Sequence, residues 1–288
     1  MSAFVLHIAS GQVFFTGVAL LLSGLWLTRR IQRRSGQRLS ALLLFLGLVG
    51  VAISSTPFPL PFWIVGSLLV ILASRQKFRV RRRWLMPATI GFWLLAAGYE
   101  ATWQRTPHLP RDIAAKELPV VVLADSVTAG LGEGEAVTWP KQIQETSKLT
   151  VIDLSHVGET VASALRRARD AEIPDEAVVV LELGGNDILG STPVDRFEED
   201  LDALLTFISR PGRCVFLMEL PLPPFCNKWG IVQRRLAKRH NVKLIPKHRF
   251  AAVFAGKTST LDSIHLSQEG HDRMAAIVRE VLLLHSNP

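Results

Sequence analysis

The sequence of 288 residues predicts an α/β domain, in which a parallel sheet lies between two layers of helices, preceded by an all-α transmembrane domain of about four helices. Three observations predict this three-layer α/β/α architecture and its membrane domain. Long stretches without charged residues are confined to the first third of the chain. Short runs rich in Val, Leu and Ile alternate with helical patterns in the rest. The balance of charge also changes sign between the two parts.

Composition excludes several classes of protein. A hydrophobic content of 48% with 20% charged residues is too apolar for a disordered chain. Two cysteines are too few for a disulfide-rich scaffold or a four-cysteine zinc site. The net charge of +8 arises in residues 1–111, which hold 13 of the 33 Lys and Arg residues and one of the 25 acidic residues. Because the rest of the chain is net acidic, we expect no nucleic-acid partner.

The first third of the chain contains three stretches without Lys, Arg, Asp or Glu, at residues 1–28, 39–74 and 84–99. A membrane-spanning helix needs roughly 20 apolar residues, and three prolines within residues 56–61 must interrupt the second stretch. A re-entrant hairpin is the alternative for the last two segments. The sequence therefore predicts a transmembrane domain over residues 1–103 with four spans, near residues 8–28, 39–56, 60–75 and 84–101.

The basic residues of this part predict its orientation. Five arginines separate the first two spans and six Lys or Arg residues separate the last two, whereas the proline-rich turn between spans two and three is uncharged. Positive residues stay on the cytoplasmic side of a membrane. Since no basic residue precedes Arg29, a cleaved signal peptide is not expected. We therefore expect the chain beyond the fourth span to lie outside the cytoplasm.

The remaining chain predicts a linker over residues 104–116 and an α/β domain over residues 117–288. Buried strands are expected at residues 118–123, 151–154, 177–183, 214–220 and 242–245, since these runs are apolar without alternation. Helical patterns occupy residues 139–147, 161–171, 194–209, 229–240 and 267–284. Strands that alternate with helices form a parallel sheet, whose ligands bind beyond the carboxyl ends of the strands.

Polar residues and glycines follow the predicted strands at that edge. Ser126 follows the first strand, Gly158 the second and Asn186 the third, while Asp262 and His265 precede the last helix. Each residue alone has an ordinary explanation as a cap, a turn or a surface pair. Together they supply the parts of acyl transfer: a hydroxyl nucleophile, an imidazole base, a carboxylate that orients it, and amide donors for an oxyanion.

These residues lie in blocks that resemble the SGNH (GDSL) hydrolase superfamily. The four blocks occur in order at residues 124–130, 158–160, 184–187 and 262–267, and Trp139-Pro140 is a frequent companion of the first. The resemblance covers about residues 118–285 and implies a flavodoxin-like fold without a cofactor or metal. It also implies a Ser126 nucleophile, a His265 base and an Asp262 orienter. The implied oxyanion donors are the N–H groups of Ser126 and Gly158 and the Asn186 side chain.

Two positions depart from the pattern of the superfamily. Ala124 and Ser263 stand where its members commonly have glycine, and we expect both to tune activity rather than abolish it. The Gly-x-Ser-x-Gly elbow of α/β-hydrolases is absent around Ser126. His265 and His271 are six residues apart and match no zinc signature.

We therefore expect a multi-pass protein of the cell (inner) membrane with an extracytoplasmic serine ester hydrolase domain, periplasmic where there is an outer membrane. Its partners would be the lipid bilayer and an acyl-ester substrate, either a lipid or an acylated glycan. The expected activity is that of a carboxylesterase, acetylesterase or lysophospholipase. An O-acyltransferase acting on envelope glycans and a non-catalytic binding protein are the alternatives. The oligomeric state and a Cys214–Cys226 disulfide are left open.

Overall fold

The structure is a computed structural model, which describes residues 2–30, 33–75, 83–130, 136–256, 258–262 and 264–284. The chain forms two compact units. One comprises Met1–Leu6, Arg105–Leu220 and Val232–Pro288, and the other comprises His7–Gln104 and Pro221–Ile231. This division differs from the sequence-based one in three respects. The residues Met1–Leu6 and most of the predicted linker belong to the α/β unit, and the segment after the fourth strand belongs to the helical unit.

The N-terminal part of the chain folds into helices α1 (Ala3–Ala9), α2 (Gln12–Arg30), α3 (Arg34–Ile53), α4 (Leu60–Ser74) and α5 (Leu85–Thr102). Helices α2 and α3 pack closely because glycines face each other. A Cβ atom on Gly17 would lie 2.8 Å from the backbone N of Val51, and one on Gly47 would lie 2.9 Å from the carbonyl oxygen of Gly17. Small residues at such a contact let two backbones approach, as they commonly do between membrane helices.

Two of these helices, α2 and α3, are long and apolar enough to cross a membrane. Among the described residues, the number of helices of spanning length is therefore two and not the four expected from the sequence. Helix α4 has only 15 residues, because Pro57 and Pro59 delay its start. Helix α5 has 18 residues, but polar residues including Glu100 lie in its last turn. Of the predicted basic loops, Lys77, Arg79, Arg81 and Arg82 lie outside the described residues.

The segment Pro221–Ile231 contributes contacts within the helical unit. Asn227 Nδ2 donates a hydrogen bond to the carbonyl oxygen of Ser54 at 3.1 Å and another to that of Thr56. A Cβ atom on Gly230 would lie 3.0 Å from Cγ of Pro57. The turn between α3 and α4 is thus held by a segment that is distant in sequence.

The α/β unit contains a five-stranded sheet, and the strands agree with the predicted runs to within about two residues. They are β1 (Val120–Ala124), β2 (Val151–Asp153), β3 (Ala177–Glu182), β4 (Arg213–Met218) and β5 (Lys243–Ile245). Every strand pair is parallel, in the order β2-β1-β3-β4-β5. All residues of β1 and β3 are buried, as expected of strands covered on both faces. The predicted parallel sheet with helices is confirmed.

The remaining helices along the chain are α6 (Arg111–Ala114), α7 (Ser126–Ala129), α8 (Trp139–Thr146), α9 (Val161–Asp170), α10 (Gly185–Leu189), α11 (Val194–Ile208), α12 (Asn227–Arg239), α13 (Lys247–Val253) and α14 (Gln268–Leu282). They belong to the α/β unit, except for the first residues of α12, up to Ile231. Helix α14 packs against α8 and α13, whereas α9 packs against α11. The sequence did not predict α13 or the shorter helices α6, α7 and α10. The order of strands reverses between β1 and β3, which is where a sheet of this type opens a crevice for ligands.

The two cysteines are free thiols. Cys214 is the second residue of β4, whereas the chain toward Cys226 leaves from the other end of that strand. A strand rises about 3.3 Å per residue, and a disulfide requires Cα atoms within about 7 Å. The disulfide left open by the sequence is therefore not formed.

Candidate active site

Ser126 lies where β1 passes into a short helix. The strand ends at Ala124, Asp125 is extended, and Ser126 is the first residue of α7. Asp125 caps this helix, because its Oδ1 accepts a hydrogen bond from the N–H of Val127 at 2.9 Å. The N–H of Ser126 itself belongs to the first turn, whose donors have no acceptor within the helix. The serine is therefore held at the carboxyl edge of the sheet, with its own N–H directed away from the helix.

The loops that follow β2 and β3 are joined by two hydrogen bonds. Asn186 Nδ2 donates to the carbonyl oxygen of Glu159 at 3.0 Å, and the N–H of Val161 donates to Asp187 Oδ2 at 3.0 Å. These bonds join the loop that contains Gly158, the predicted second block, to the loop that contains Asn186, the predicted third block.

Glycine is required at two positions of these loops. Gly158 has a φ of +75° with no atom within 4 Å of the Cβ position, so backbone conformation alone favours glycine there. Gly184 has a φ of +107°, and a Cβ atom would lie 2.9 Å from Cδ1 of Leu220. A side chain at Gly184 would therefore be excluded both by conformation and by packing.

His265 and Asp262 form a close pair. Nδ1 of His265 lies 2.6 Å from Oδ2 of Asp262, and Oδ1 of Asp262 accepts hydrogen bonds from the N–H groups of His265 (2.9 Å) and Ile264 (3.1 Å). The backbone and ring of His265, together with the N–H of Ile264, lower the pKa of Asp262 to about 2. Asp262 is thus ionised at neutral pH, and the ring is oriented through Nδ1. Ser263, one of the two departures, lies outside the described residues.

The predicted residues are brought together to different degrees. Asp262 and His265 are in direct contact, and the charge of His265 acts on Asp125, the residue that precedes Ser126. Ser126 and His265, both described by the structure, are not hydrogen-bonded to each other. Hydrogen bonds of a catalytic site are often long before substrate binds. Among the described residues the structure therefore shows His265 paired with Asp262 and Ser126 at the end of β1, without a hydrogen bond between Ser126 and His265.

Sequence reasoning missed a buried acid beside this site. Glu182 is the last residue of β3, and the N–H of Asp125 donates to its carbonyl oxygen at 3.2 Å. Burial, followed by the neighbouring charge of Asp125, raises the pKa of Glu182 well above its usual value. Burial also raises the pKa of Asp125 to about 6. A single acidic residue in an otherwise apolar strand was the signal that would have identified Glu182.

The donor set of the described residues does not point to a metal. No group of three or more His, Cys, Asp or Glu side chains in the described ranges is arranged to hold an ion. His271 is buried within α14, whereas His265 is partly exposed in the preceding loop. His265 and Asp262 contact each other through Nδ1 of one ring and Oδ2 of one carboxylate.

Comparison with known proteins relates the α/β unit to esterases. The model of the GDSL-like Lipase/Acylhydrolase family matches residues 125–273. An arylesterase of Vibrio mimicus is 26% identical over 179 residues, which cover 58% of this chain and 88% of that protein. A protein of Escherichia coli (strain K12) named thioesterase 1/protease 1/lysophospholipase L1 is 27% identical over 170 residues, covering 56% and 82%.

A solved structure shares the fold. The crystal structure of the psychrotrophic esterase EstA from Pseudoalteromonas sp. superposes with a TM-score of 0.50 and 23% sequence identity, covering 57% of this chain and 96% of that one. These matches cover a little more than half of the chain.

Proposed function

The chain belongs to the GDSL-like lipase/acylhydrolase family, and on this premise we propose that it is a membrane-anchored serine ester hydrolase with a Ser126–His265–Asp262 triad. The observation that carries the proposal is the contact of 2.6 Å between His265 Nδ1 and Asp262 Oδ2. An imidazole held in this way has its second nitrogen, Nε2, available to take a proton from a serine hydroxyl.

The proposed reaction has two halves. His265 Nε2 takes the proton of Ser126 as Oγ attacks the ester carbonyl, and the protonated ring then gives that proton to the departing alcohol. Water attacks the resulting acyl-enzyme with the same histidine as base, which releases the carboxylic acid and restores the serine. Asp262 stays ionised throughout and stabilises the imidazolium that forms in each half.

The tetrahedral intermediates need hydrogen-bond donors for their oxyanion, and we assign these to the N–H groups of Ser126 and Gly158 and to the Asn186 amide. Two features support this assignment. Asn186 donates one amide hydrogen to the carbonyl oxygen of Glu159, which fixes the side chain. Its second amide hydrogen can then be donated to a ligand. Gly158 has a positive φ, which places a turn in its loop, and the next residue, Glu159, is the one whose carbonyl oxygen binds the Asn186 amide.

Membrane anchoring and an extracytoplasmic catalytic unit are further parts of the proposal. Two helices of spanning length support anchoring. Arg29 and Arg30 end α2, and Arg34 and Arg38 lie in the first turns of α3, so the positive charge collects at one end of this helix pair. By the positive-inside rule, that end faces the cytoplasm. The protein would then act at the cell membrane, on the periplasmic side where there is an outer membrane.

We propose esters of short acyl groups, carried by lipids or envelope glycans, as substrates, with water as the acceptor. Turnover of p-nitrophenyl acetate, butyrate and palmitate by the detergent-solubilised full chain, in the presence of a chelator, tests this proposal. We expect acetate and butyrate to be preferred. A marked preference for palmitate would refute the substrate class, and a strong rate gain on adding a sugar acceptor would favour the O-acyltransferase.

Labelling with a fluorophosphonate probe tests the nucleophile directly. We expect the wild-type protein and a Ser155→Ala control to be labelled, because Ser155 follows β2 at the same edge of the sheet but has no proposed role. The Ser126→Ala variant should not be labelled. Equal labelling of all three proteins would refute Ser126 as the nucleophile.

A further inference from the structure

Four buried side chains behind Ser126 form a continuous hydrogen-bonded chain that the proposed reaction does not use. Trp139 Nε1 donates to Thr128 Oγ1 at 3.0 Å, and Thr128 Oγ1 donates to Glu182 Oε2 at 3.1 Å. Asp125 and Glu182 are neighbours at the ends of β1 and β3, where the N–H of Asp125 donates to the Glu182 carbonyl oxygen at 3.2 Å, and their carboxyl groups lie within hydrogen-bonding reach of each other. Each of the four residues is at most 2% exposed. The chain ends at Asp125, which is adjacent to Ser126 and caps its helix.

The chemistry of the groups fixes the direction of these hydrogen bonds. An indole N–H can only donate, so Thr128 accepts from Trp139 and its own hydrogen is directed to Glu182. Two carboxyl groups that are hydrogen-bonded to each other must hold a proton between them, because two adjacent carboxylates would repel in a buried site.

The surroundings determine which of the two carboxyl groups holds the proton. Asp125 accepts the N–H of Val127 as a helix cap, and its charge is favoured by His265 and opposed by Asp187. Glu182 is the more deeply buried of the pair, and its strongest charged neighbour is Asp125 itself. The proton therefore resides on Glu182, and the negative charge on Asp125.

We propose that Glu182 is a positioning residue for hydrolysis: it donates a hydrogen bond to Asp125 and so holds the Asp125 carboxylate as the cap of the helix that begins at Ser126. This inference rests on the proposed role of Ser126. Gly185 is part of the same arrangement, because a Cβ atom there would lie 3.2 Å from Asp125 Oδ2.

Two substitutions at Glu182 separate this role from a purely structural one. A glutamine retains the shape, donates to Asp125 through its amide and accepts from Thr128, but it has no proton to lose. A methionine fills similar space and makes neither hydrogen bond. We expect Glu182→Gln to retain a wild-type-like kcat near neutral pH. Glu182→Met should lower kcat by about 10- to 100-fold with little change in KM, since misplacing a reacting group by about an ångström costs this much.

The pH profile is the decisive measurement. In the wild type, Glu182 must lose its proton at sufficiently alkaline pH, which places two carboxylates together and disturbs the cap of Ser126. We therefore expect kcat of the wild type to fall on the alkaline side and kcat of Glu182→Gln to remain high there. As a matched control, Glu219→Gln alters another buried glutamate, the residue after β4. This variant should not keep kcat high at alkaline pH.

Each outcome decides the inference. Identical pH profiles for the wild type and Glu182→Gln would overturn it, as would equal losses of kcat in Glu182→Gln and Glu182→Met. Should Glu182→Met fail to fold, Thr128→Val, which removes the donor to Glu182, replaces it and should reduce kcat in the same way. Fluorophosphonate labelling of wild type against Ser126→Ala is run in parallel. Failure there removes the proposed function, whereas normal labelling with unchanged Glu182 variants removes only this inference.

Discussion

Asp262 holds His265 at two points. One carboxylate oxygen lies 2.6 Å from Nδ1 of the ring, and the other accepts the backbone N–H of the same residue at 2.9 Å. A third hydrogen bond, from the N–H of Ile264, completes the turn. The two residues are only three apart, so one short loop supplies both the proposed base and the group that orients it. The orientation of the His265 ring is therefore set within its own loop and does not depend on a contact with Ser126.

Ser126→Ala should abolish ester hydrolysis while leaving the fold intact. The loss of a triad nucleophile costs on the order of 10⁴–10⁶ in kcat, and the removal of one hydroxyl from a short helix leaves the buried residues of β1 unchanged. Turnover of p-nitrophenyl acetate and the melting temperature are the two measurements. Undiminished turnover in a correctly folded variant would refute the mechanism.

Asn186→Ala should cost less, roughly 10²–10³ in kcat, because it removes one of the three proposed oxyanion donors. Since the amide also donates to the carbonyl oxygen of Glu159, some loss of thermal stability is expected as well. Val161 still donates to Asp187 in this variant and keeps the two loops joined. A wild-type kcat would remove Asn186 from the oxyanion hole without affecting the triad.

Asp262→Asn should lower kcat by about 10⁴, because the amide cannot hold His265 in the required tautomer. The lowered pKa of Asp262, about 2, predicts the pH dependence of stability. A carboxylate with a depressed pKa contributes stability that is present above its unfolded pKa and is lost as the pH falls through the folded one. The stability difference between wild type and Asp262→Asn that is due to this carboxylate should thus be fully present at about pH 5, which is above both pKa values, and shrink between about pH 4 and 2. A difference unchanged at acidic pH would contradict this.

Asp125→Asn should change the pH dependence of stability in the opposite sense to Asp262→Asn. Burial raises the pKa of Asp125 from its usual 3.8 to about 6, so its contribution is fully present below the unfolded pKa and is lost as pH rises through the folded one. Asparagine can still cap α7. As the pH rises from 4 to 7, the free energy of unfolding should therefore fall less in the variant than in the wild type, by up to about a few kcal/mol. Urea unfolding across this range is the measurement. Parallel curves for the two proteins would refute the raised pKa.

The orientation of the chain is tested by a reporter that is active only after export. Fused to the C-terminus, such a reporter should be active if the proposed orientation is correct, in which the basic residues that end α2 and begin α3 face the cytoplasm. A reporter that functions only in the cytoplasm should be inactive at the same position. The reverse result would refute the extracytoplasmic location.

The sheet and its helices were predictable because buried parallel strands have a recognisable pattern. The runs of Val and Leu in β1 and β3 do not alternate with polar residues, since both faces of these strands are covered. The positions of Ser126 and Asn186 followed from the same rule, because both residues come directly after strands of a parallel sheet. Helix α13 was not predicted, because its seven residues provide too short a pattern to distinguish a helix from a loop.

The sequence by itself determined the order of the strands, the edge of the sheet at which Ser126 and Asn186 lie and the pairing of Asp262 with His265, because all three depend on local patterns and short spacings. Only the tertiary structure decided that Cys214 and Cys226 are free thiols and that Glu182 joins Asp125, Thr128 and Trp139 in one buried chain. Glu182 is 54 residues from Thr128, and such contacts depend on how strands and helices pack. The protonation of a buried acid follows from the groups packed around it, and the linear sequence does not contain that information.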